Sequence, residues 1–186
     1  MKRMTILIDM DDTIEQLLKA WIAKVNRIYN TTTKYEDIKV WDVSAAFDGL
    51  SKEQVYSVIM DDDFWETVEP IPNASDVIKS FIDKGHTVYI VTATPYQSIK
   101  AKMDKVLFRY FPYLSWENVI ITSNKQLLKA DILIDDGVHN LAGGEYMKIL
   151  MTAPNNLQYD AEKNGMIRVK DWNEIDRIVS ALEKEG

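Results

Sequence analysis

Six side chains in this sequence have the types and spacing to transfer a phosphoryl group together. Asp9 and Asp11 follow the apolar run Thr5-Ile6-Leu7-Ile8, and Asp135 and Asp136 follow Ile132-Leu133-Ile134. Thr92 follows Val88 to Val91, and Lys125 lies just past Val119-Ile120-Ile121. Carboxylates gathered in one place repel, and without a counterion some of them stay protonated. A hard divalent cation relieves that repulsion, because Mg2+ takes oxygen ligands and completes its shell with water and a substrate phosphate. Lysine and threonine supply the complement, a point charge and a hydroxyl donor for phosphate oxygens. The chemistry is phosphoryl transfer to a carboxylate nucleophile. Asp9 attacks phosphorus. Asp11 protonates the leaving oxygen and then, as a carboxylate, activates the water that hydrolyses the aspartyl-phosphate. Lys125 and the metal offset charge on the phosphoryl group in flight.

These residues act together only if the chain brings them to one place, and the pattern of elements predicts that it does. The runs at 5–8, 87–91, 119–122 and 132–134 are apolar at successive positions, as strands buried on both faces are. Residues 148–152 and 166–169 read as edge strands. Between the strands the apolar period is helical: Leu17, Leu18, Trp21, Ile22, Val25 and Ile28; then Val77, Ile78, Phe81 and Ile82; then Ile99, Met103, Val106 and Leu107; and last Trp172, Ile175, Ile178 and Val179. Gly85 stands where a helix-ending glycine belongs, and Ser51-Lys52-Glu53-Gln54 reads as a capping box. Residues 30–50 carry no sustained period, which marks a functional or cap-like segment. Alternating strands and helices predict an α/β layer sandwich with a parallel sheet. In such a sheet the ligand lies outside the carboxyl ends of the strands, where all six residues fall. Core residues 1–14 and 73–186, interrupted by a helical insert at 15–72, are the predicted organisation.

Composition narrows the alternatives. The 186 residues carry a formal net charge of −7, which disfavours a grip on nucleic acid polymers or an anionic membrane. No cysteine is present, so thiol catalysis and cysteine–zinc sites are excluded. Apolar residues make up 46% of the chain, enough for a real core. The N-terminal apolar run is short for a secretory signal, and a cytoplasmic location is expected. Asp12 and Thr13 are equally well read as helix-capping residues, and Asp135-Asp136-Gly137 taken alone as a turn. His86 reads as structural. Whether His139 lines the site is left open.

Asp9-Met10-Asp11-Asp12-Thr13 resembles the DxDxT signature of the haloacid dehalogenase-like (HAD) phosphatases. Thr92, Lys125 and the pair Asp135-Asp136 match the family's second, third and fourth motifs in order. Within that superfamily the chain is similar to the 5'(3')-deoxyribonucleotidases. That likeness rests on the step from Lys125 to Asp135, on Ala130 to Asp136, and on Phe64-Trp65 through Pro70-Ile71-Pro72. The resemblance implies a Rossmann-like three-layer sandwich with a small helical cap inserted after the first strand. It implies Mg2+ held by the Asp9 carboxylate, the Asp11 main-chain carbonyl and Asp136, with Asp135 beside it. It implies nucleoside monophosphate substrates, preferentially deoxy, with Leu17, Val40, Trp41 and Asp42 on the base side of the pocket. Trp41 suits that place physically, since an aromatic face stacks on a base, although a tryptophan buried in the cap is an equally good reading. Relatives commonly carry glycine where Asp12 stands and an aromatic residue where Leu17 stands.

The expected partner is therefore a small phosphomonoester, with a homodimer left open. Two other functions fit part of the pattern. One keeps the mechanism and takes a sugar phosphate or another small metabolite. The other is a receiver-like signalling domain, which would need a phosphoacceptor Asp on a later strand well before the Thr and Lys; no strand-end Asp lies between the first motif and Thr92.

Overall fold

The structure, a computed structural model, describes residues 2–184. The β-branched run Thr5–Ile8 forms β1. The insert follows, with α1 at Leu17–Tyr29 and α2 at Lys52–Ser57. The α/β alternation then resumes with α3 at Ala74–Asp83 and β2 at Thr87–Thr92. Helix α4 comprises an α-turn Ile99–Lys102, a π-helical stretch Met103–Leu107 and a last turn Phe108–Tyr110. The rest is β3 at Val119–Ile121, β4 at Ile132–Asp135, α5 at Val138–Leu141, β5 at Met147–Met151, β6 at Met166–Val169 and α6 at Trp172–Leu182. Gly85, at φ +87°, turns the chain from α3 into β2.

All six strands form one parallel sheet in the order β3-β2-β1-β4-β5-β6. The strand order reverses between β1 and β4, the switch point where open α/β sheets bind ligands. Successive residues of each strand enter two separate cores. Ile6, Ile8, Ile90, Ile132 and Ile134 face Phe81, Val106, Trp172 and Ile175 from the helical layer. Leu7, Val91, Leu133 and Leu150 meet Leu141, Tyr146 and Ala161 on the other face. That double burial is why these strands read as unbroken apolar runs. One expectation is corrected: residues 148–152 do not form an edge strand. β5 lies between β4 and β6, and the edges are β3 and β6. Ile149, Leu150 and Met151 are all buried; the lysine that opens the run disguises an interior strand.

The insert leaves and rejoins the sheet through two adjacent segments. Gln16 N–H donates to the Glu69 carbonyl at 2.9 Å, and Ile71 N–H donates to the Ile14 carbonyl at 2.8 Å. Besides α1 and α2 it consists of short 3-10 turns at Tyr35–Asp37, Val43–Ala46, Val58–Met60 and Asp62–Thr67. Tryptophans hold these turns together. The Trp21 indole N–H donates to the Val55 carbonyl and that of Trp65 to the Ile59 carbonyl. The insert rests on α4, where Lys105 pairs with Glu66 at 2.9 Å and donates to the Asp62 carbonyl at 3.0 Å.

Candidate active site

Local hydrogen bonding brings the strand-end residues together. Asp9 N–H donates to the Ile134 carbonyl at 2.8 Å, extending the β1–β4 ladder by one residue and placing Asp9 beside Asp135. Met10 and Ile14 are fully buried and anchor the loop that carries Asp11 and Asp12. The Trp172 indole N–H donates to the Thr13 carbonyl at 2.8 Å and fixes that loop from α6. Asp12 takes the left-handed conformation at φ +52°, and its carboxylate accepts the Leu18 N–H at 3.1 Å, capping α1. Asparagine and aspartate tolerate that backbone region better than most residues, so a position that suits glycine here gains a cap instead.

Asp9, Asp135 and Asp136 are buried, and each offers a carboxylate oxygen within 4.8 Å of the others. Lys125, 1% exposed, bridges Asp9 and the Asp135 Oδ2, the latter at 2.6 Å. Asp135 Oδ1 also accepts from Gly137 N–H at 2.7 Å and Asn140 Nδ2 at 3.0 Å. A Cβ on Gly137 would lie 2.8 Å from Asn140 Nδ2 and 3.0 Å from Asp135 Oδ1, so any larger residue would push these two side chains from their present contact. Asn156 Nδ2 donates to the Asp136 carbonyl at 2.9 Å and is itself held by Arg168.

Charge in this cluster is incompletely balanced. Burial, opposed by Lys125 and aided by Asp135 and Asp11, pushes the Asp9 carboxyl up to about 7. Burial and the carboxylates of Asp135 and Asp9 push Asp136 well above the ordinary carboxylate range. Burial alone would lower Lys125, but Asp9 and Asp135 outweigh it and raise its pKa. One ammonium for three buried carboxylates leaves a deficit of positive charge, and an all-oxygen donor set is the kind Mg2+ takes. The residues therefore fit a divalent cation, with Asp9 and Asp136 as the carboxylates that lack sufficient counter-charge.

Next to this cluster a cavity of about 250 Å3 runs between the insert and the strand ends. Asp11, Asp12, Asp136, Thr94, Asn155 and Lys102 mark its polar end. Leu17, Trp21, Ile38, Trp41, Val43, Tyr56 and Trp65 wall the rest. Leu17 and Trp41, which the family resemblance implies on the base side, both line this cavity. Val40 and Asp42, also implied there, do not line it. The Asp42 carboxylate caps the turn Val43–Ala46 through Ser44 N–H and receives Lys52 and Tyr56. Adjacent residues cannot all face one cavity where the chain is irregular. His139 packs edge-on against Trp41, and His86 lies elsewhere, between Met4 N–H and Glu183.

Residues 3–184 match the sequence model of the family described as 5' nucleotidase, deoxy (pyrimidine), cytosolic type C. The chain belongs to this family. It is 38% identical over 173 residues to a 5'(3')-deoxyribonucleotidase of Bacillus subtilis, covering 92% of this chain and 96% of the relative. It is 30% identical over 183 residues to the 5'(3')-deoxyribonucleotidase of Clostridium acetobutylicum, covering 98% of each. The fold is that of a HAD-hydrolase of Bacillus subtilis solved bound to magnesium, with a TM-score of 0.59, 17% identity, and coverage of 96% of this chain and 99% of the other.

In this type C nucleotidase chain, two buried polar residues at the site escaped the motif reading. Lys102 is 1% exposed and pairs with Asp11 Oδ1 at 2.6 Å. Burial opposes ionisation of Asp11, but Lys102 and a contact with Glu15 outweigh it and hold its pKa below the ordinary range. Glu15 is fully buried where the insert begins; burial, then Asp11, push its pKa well up. A signal for Lys102 was present. Three residues after Ile99 and four before Val106, it interrupts the apolar stripe of its helix.

Proposed function

We propose that this member of the type C nucleotidase family hydrolyses deoxyribonucleoside monophosphates to nucleoside and phosphate through an aspartyl-phosphate on Asp9. The observation that carries the reading is the junction of two environments. Buried Asp9, Asp135, Asp136 and Lys125 adjoin an apolar, aromatic-walled cavity large enough for a base and sugar.

In this reading the phosphate enters between Asp9 and Thr92. Asp9 attacks phosphorus, the bond to the ester oxygen breaks, and Asp11 gives that oxygen a proton. A phosphate dianion beside Asp11 raises its proton affinity, which offsets the effect of Lys102. As a carboxylate, Asp11 then takes a proton from the water that attacks the aspartyl-phosphate, releasing phosphate and restoring Asp9. Lys125 offsets charge on the phosphoryl oxygens. Asp9, Asp136 and the Asp11 main-chain carbonyl would hold Mg2+, with Asp135 beside them; when bound, the ion supplies positive charge against the phosphoryl oxygens. Residues 15–72 act as the cap that selects the leaving group, and its aromatic wall suits a nucleobase.

A sugar phosphate fits this wall poorly, because ring hydroxyls buried among Leu17, Trp21, Ile38 and Val43 would lack partners. A receiver-like role is disfavoured because no strand-end Asp lies between the first motif and Thr92 to serve as its phosphoacceptor. The cytosolic description of the family suits an intracellular nucleotide pool, and among the described residues no helix is long and apolar enough to cross a membrane. Phosphate release from dUMP, dTMP, UMP and two sugar phosphates with Mg2+ tests the reading. Repeated turnover with the deoxynucleotides preferred is expected. Equal rates across all five would overturn the nucleotide assignment, and stoichiometric phosphate retention the hydrolase assignment.

A further inference from the structure

We infer that Lys102 is a positioning residue: it braces Asp11 so that the second carboxyl oxygen meets the leaving oxygen of the substrate. The inference rests on the reading of Asp11 as the acid of the first step.

A lysine ammonium has three donors and no acceptor. Two of those of Lys102 go to threonine hydroxyls, and the ammonium faces Asp11 as an ion pair. Its Nζ lies 2.6 Å from Asp11 Oδ1, 2.9 Å from Thr92 Oγ1 and 2.8 Å from Thr94 Oγ1. The Trp65 ring closes the remaining side, with its centroid 5.4 Å from Nζ. The ammonium is thus engaged on Asp11 and the two threonines. Lys125 differs, since it meets only the two carboxylates Asp9 and Asp135 and keeps a third donor for a phosphoryl oxygen. The two buried lysines therefore divide the work: Lys125 belongs to the phosphoryl group, and Lys102 to the acid.

The brace joins separate parts of the chain. Asp11 follows β1, Thr92 ends β2 and Thr94 lies two residues beyond it, and Lys102 comes from α4 at the point where the helix widens into its π-helical stretch. Such irregular turns recur at functional sites because they re-aim a side chain. The two threonine hydroxyls lie 3.0 Å apart, so Lys102, Thr92 and Thr94 form a closed triangle to which Asp11 is joined through the lysine. With one oxygen tied, the Asp11 carboxyl loses rotational freedom, and the other oxygen is held for proton transfer. As the phosphorus–ester bond breaks and the bond to Asp9 forms, the proton passes from Asp11 to the leaving oxygen; Lys102 itself neither gains nor loses one.

A brace for the acid matters in proportion to how much the leaving group needs a proton. A nucleoside alkoxide needs one and p-nitrophenolate does not. kcat/KM reports this first step. General acids contribute about 10²–10⁴-fold, so Lys102→Met should lower kcat/KM for dUMP by about 100-fold and for p-nitrophenyl phosphate by less than about 5-fold. Competitive inhibition by inorganic phosphate should stay within about 3-fold, because Lys102 is engaged on Asp11, Thr92 and Thr94. Equal losses on the two esters, or inhibition by phosphate weakened in parallel, would overturn the inference in favour of a structural or phosphate-binding role. If Lys102→Met does not fold, Thr94→Val, which removes one strut, should show the same selective loss on a smaller scale; a uniform loss there overturns it equally. Asp11→Asn separates the two readings. A uniform loss in that variant defeats the acid role itself, whereas a selective loss there with a uniform one in Lys102→Met defeats the brace alone.

Discussion

The indole of Trp41 meets the imidazole of His139 edge to face, with ring centroids 4.4 Å apart. One ring belongs to the insert and the other to α5, three residues beyond Asp136. This contact joins the two parts of the molecule at the mouth of the cavity, and it leaves Trp41 54% exposed. A half-exposed aromatic at a cavity mouth has a face to offer a ligand.

Trp41→Ala should raise KM for dUMP by about 5- to 20-fold, the scale of one lost aromatic contact, with little effect on KM for p-nitrophenyl phosphate. Steady-state kinetics on both esters check this. Equal changes would leave Trp41 only the task of holding insert and core together.

Asp9→Asn should lower kcat by more than about 10⁴-fold, as loss of a nucleophile does elsewhere, while the circular dichroism spectrum is retained. The amide keeps the shape and cannot attack phosphorus. Turnover at the wild-type rate would reject Asp9 as the nucleophile.

Divalent cation should stabilise the protein as well as activate it, because Asp9 and Asp136 repel each other within a buried cluster. At Mg2+ one hundred times its Kd, linkage gives about 2.7 kcal/mol, or a Tm rise of about 5–10 °C for a chain of this size. Differential scanning fluorimetry with and without EDTA measures it. The rise should vanish in Asp136→Asn, and an unchanged Tm in the wild type would contradict the cation assignment.

Far from the site, His86 links the N- and C-terminal segments. Its Nδ1 accepts Met4 N–H at 3.1 Å, which places the ring proton on Nε2, 2.9 Å from Glu183 Oε1. Burial opposes ionisation of Glu183, but the bonds from His86 and Lys84 outweigh it and hold its pKa below the ordinary 4.5. A depressed folded pKa contributes stability that is fully present above 4.5 and is lost as pH falls through the lower folded value. Wild type should exceed Glu183→Gln near neutrality by about 1.5–3 kcal/mol at most, the scale of a charged hydrogen bond. The gap should close on acidification below 4.5. Urea melts across that range test it, and a gap that persists at pH 3 would assign the difference to packing.

The strand ends were legible because burial on both faces leaves an unmistakable apolar run, and a parallel sheet must present the residues that follow such runs along one edge. Asp9, Asp11, Thr92, Lys125, Asp135 and Asp136 therefore followed from sequence. The insert was not legible in the same way. Its 3-10 turns have no extended period, so the family resemblance implied Val40, Trp41 and Asp42 alike, and nothing along residues 30–50 separated Trp41 from the two neighbours that do not line the cavity.

By itself, then, the sequence determined the alternating sheet, the acids at its edge and the phosphoryl chemistry they permit, since each is a local property of residue type and burial. Only the tertiary structure decided that β5 is interior, that the insert closes an aromatic cavity over those acids, and that Lys102 pairs with Asp11 and donates to Thr92 and Thr94. Those facts depend on which segments meet across long stretches of chain, and a lysine's spacing along a helix says that it is buried without saying which oxygens await it.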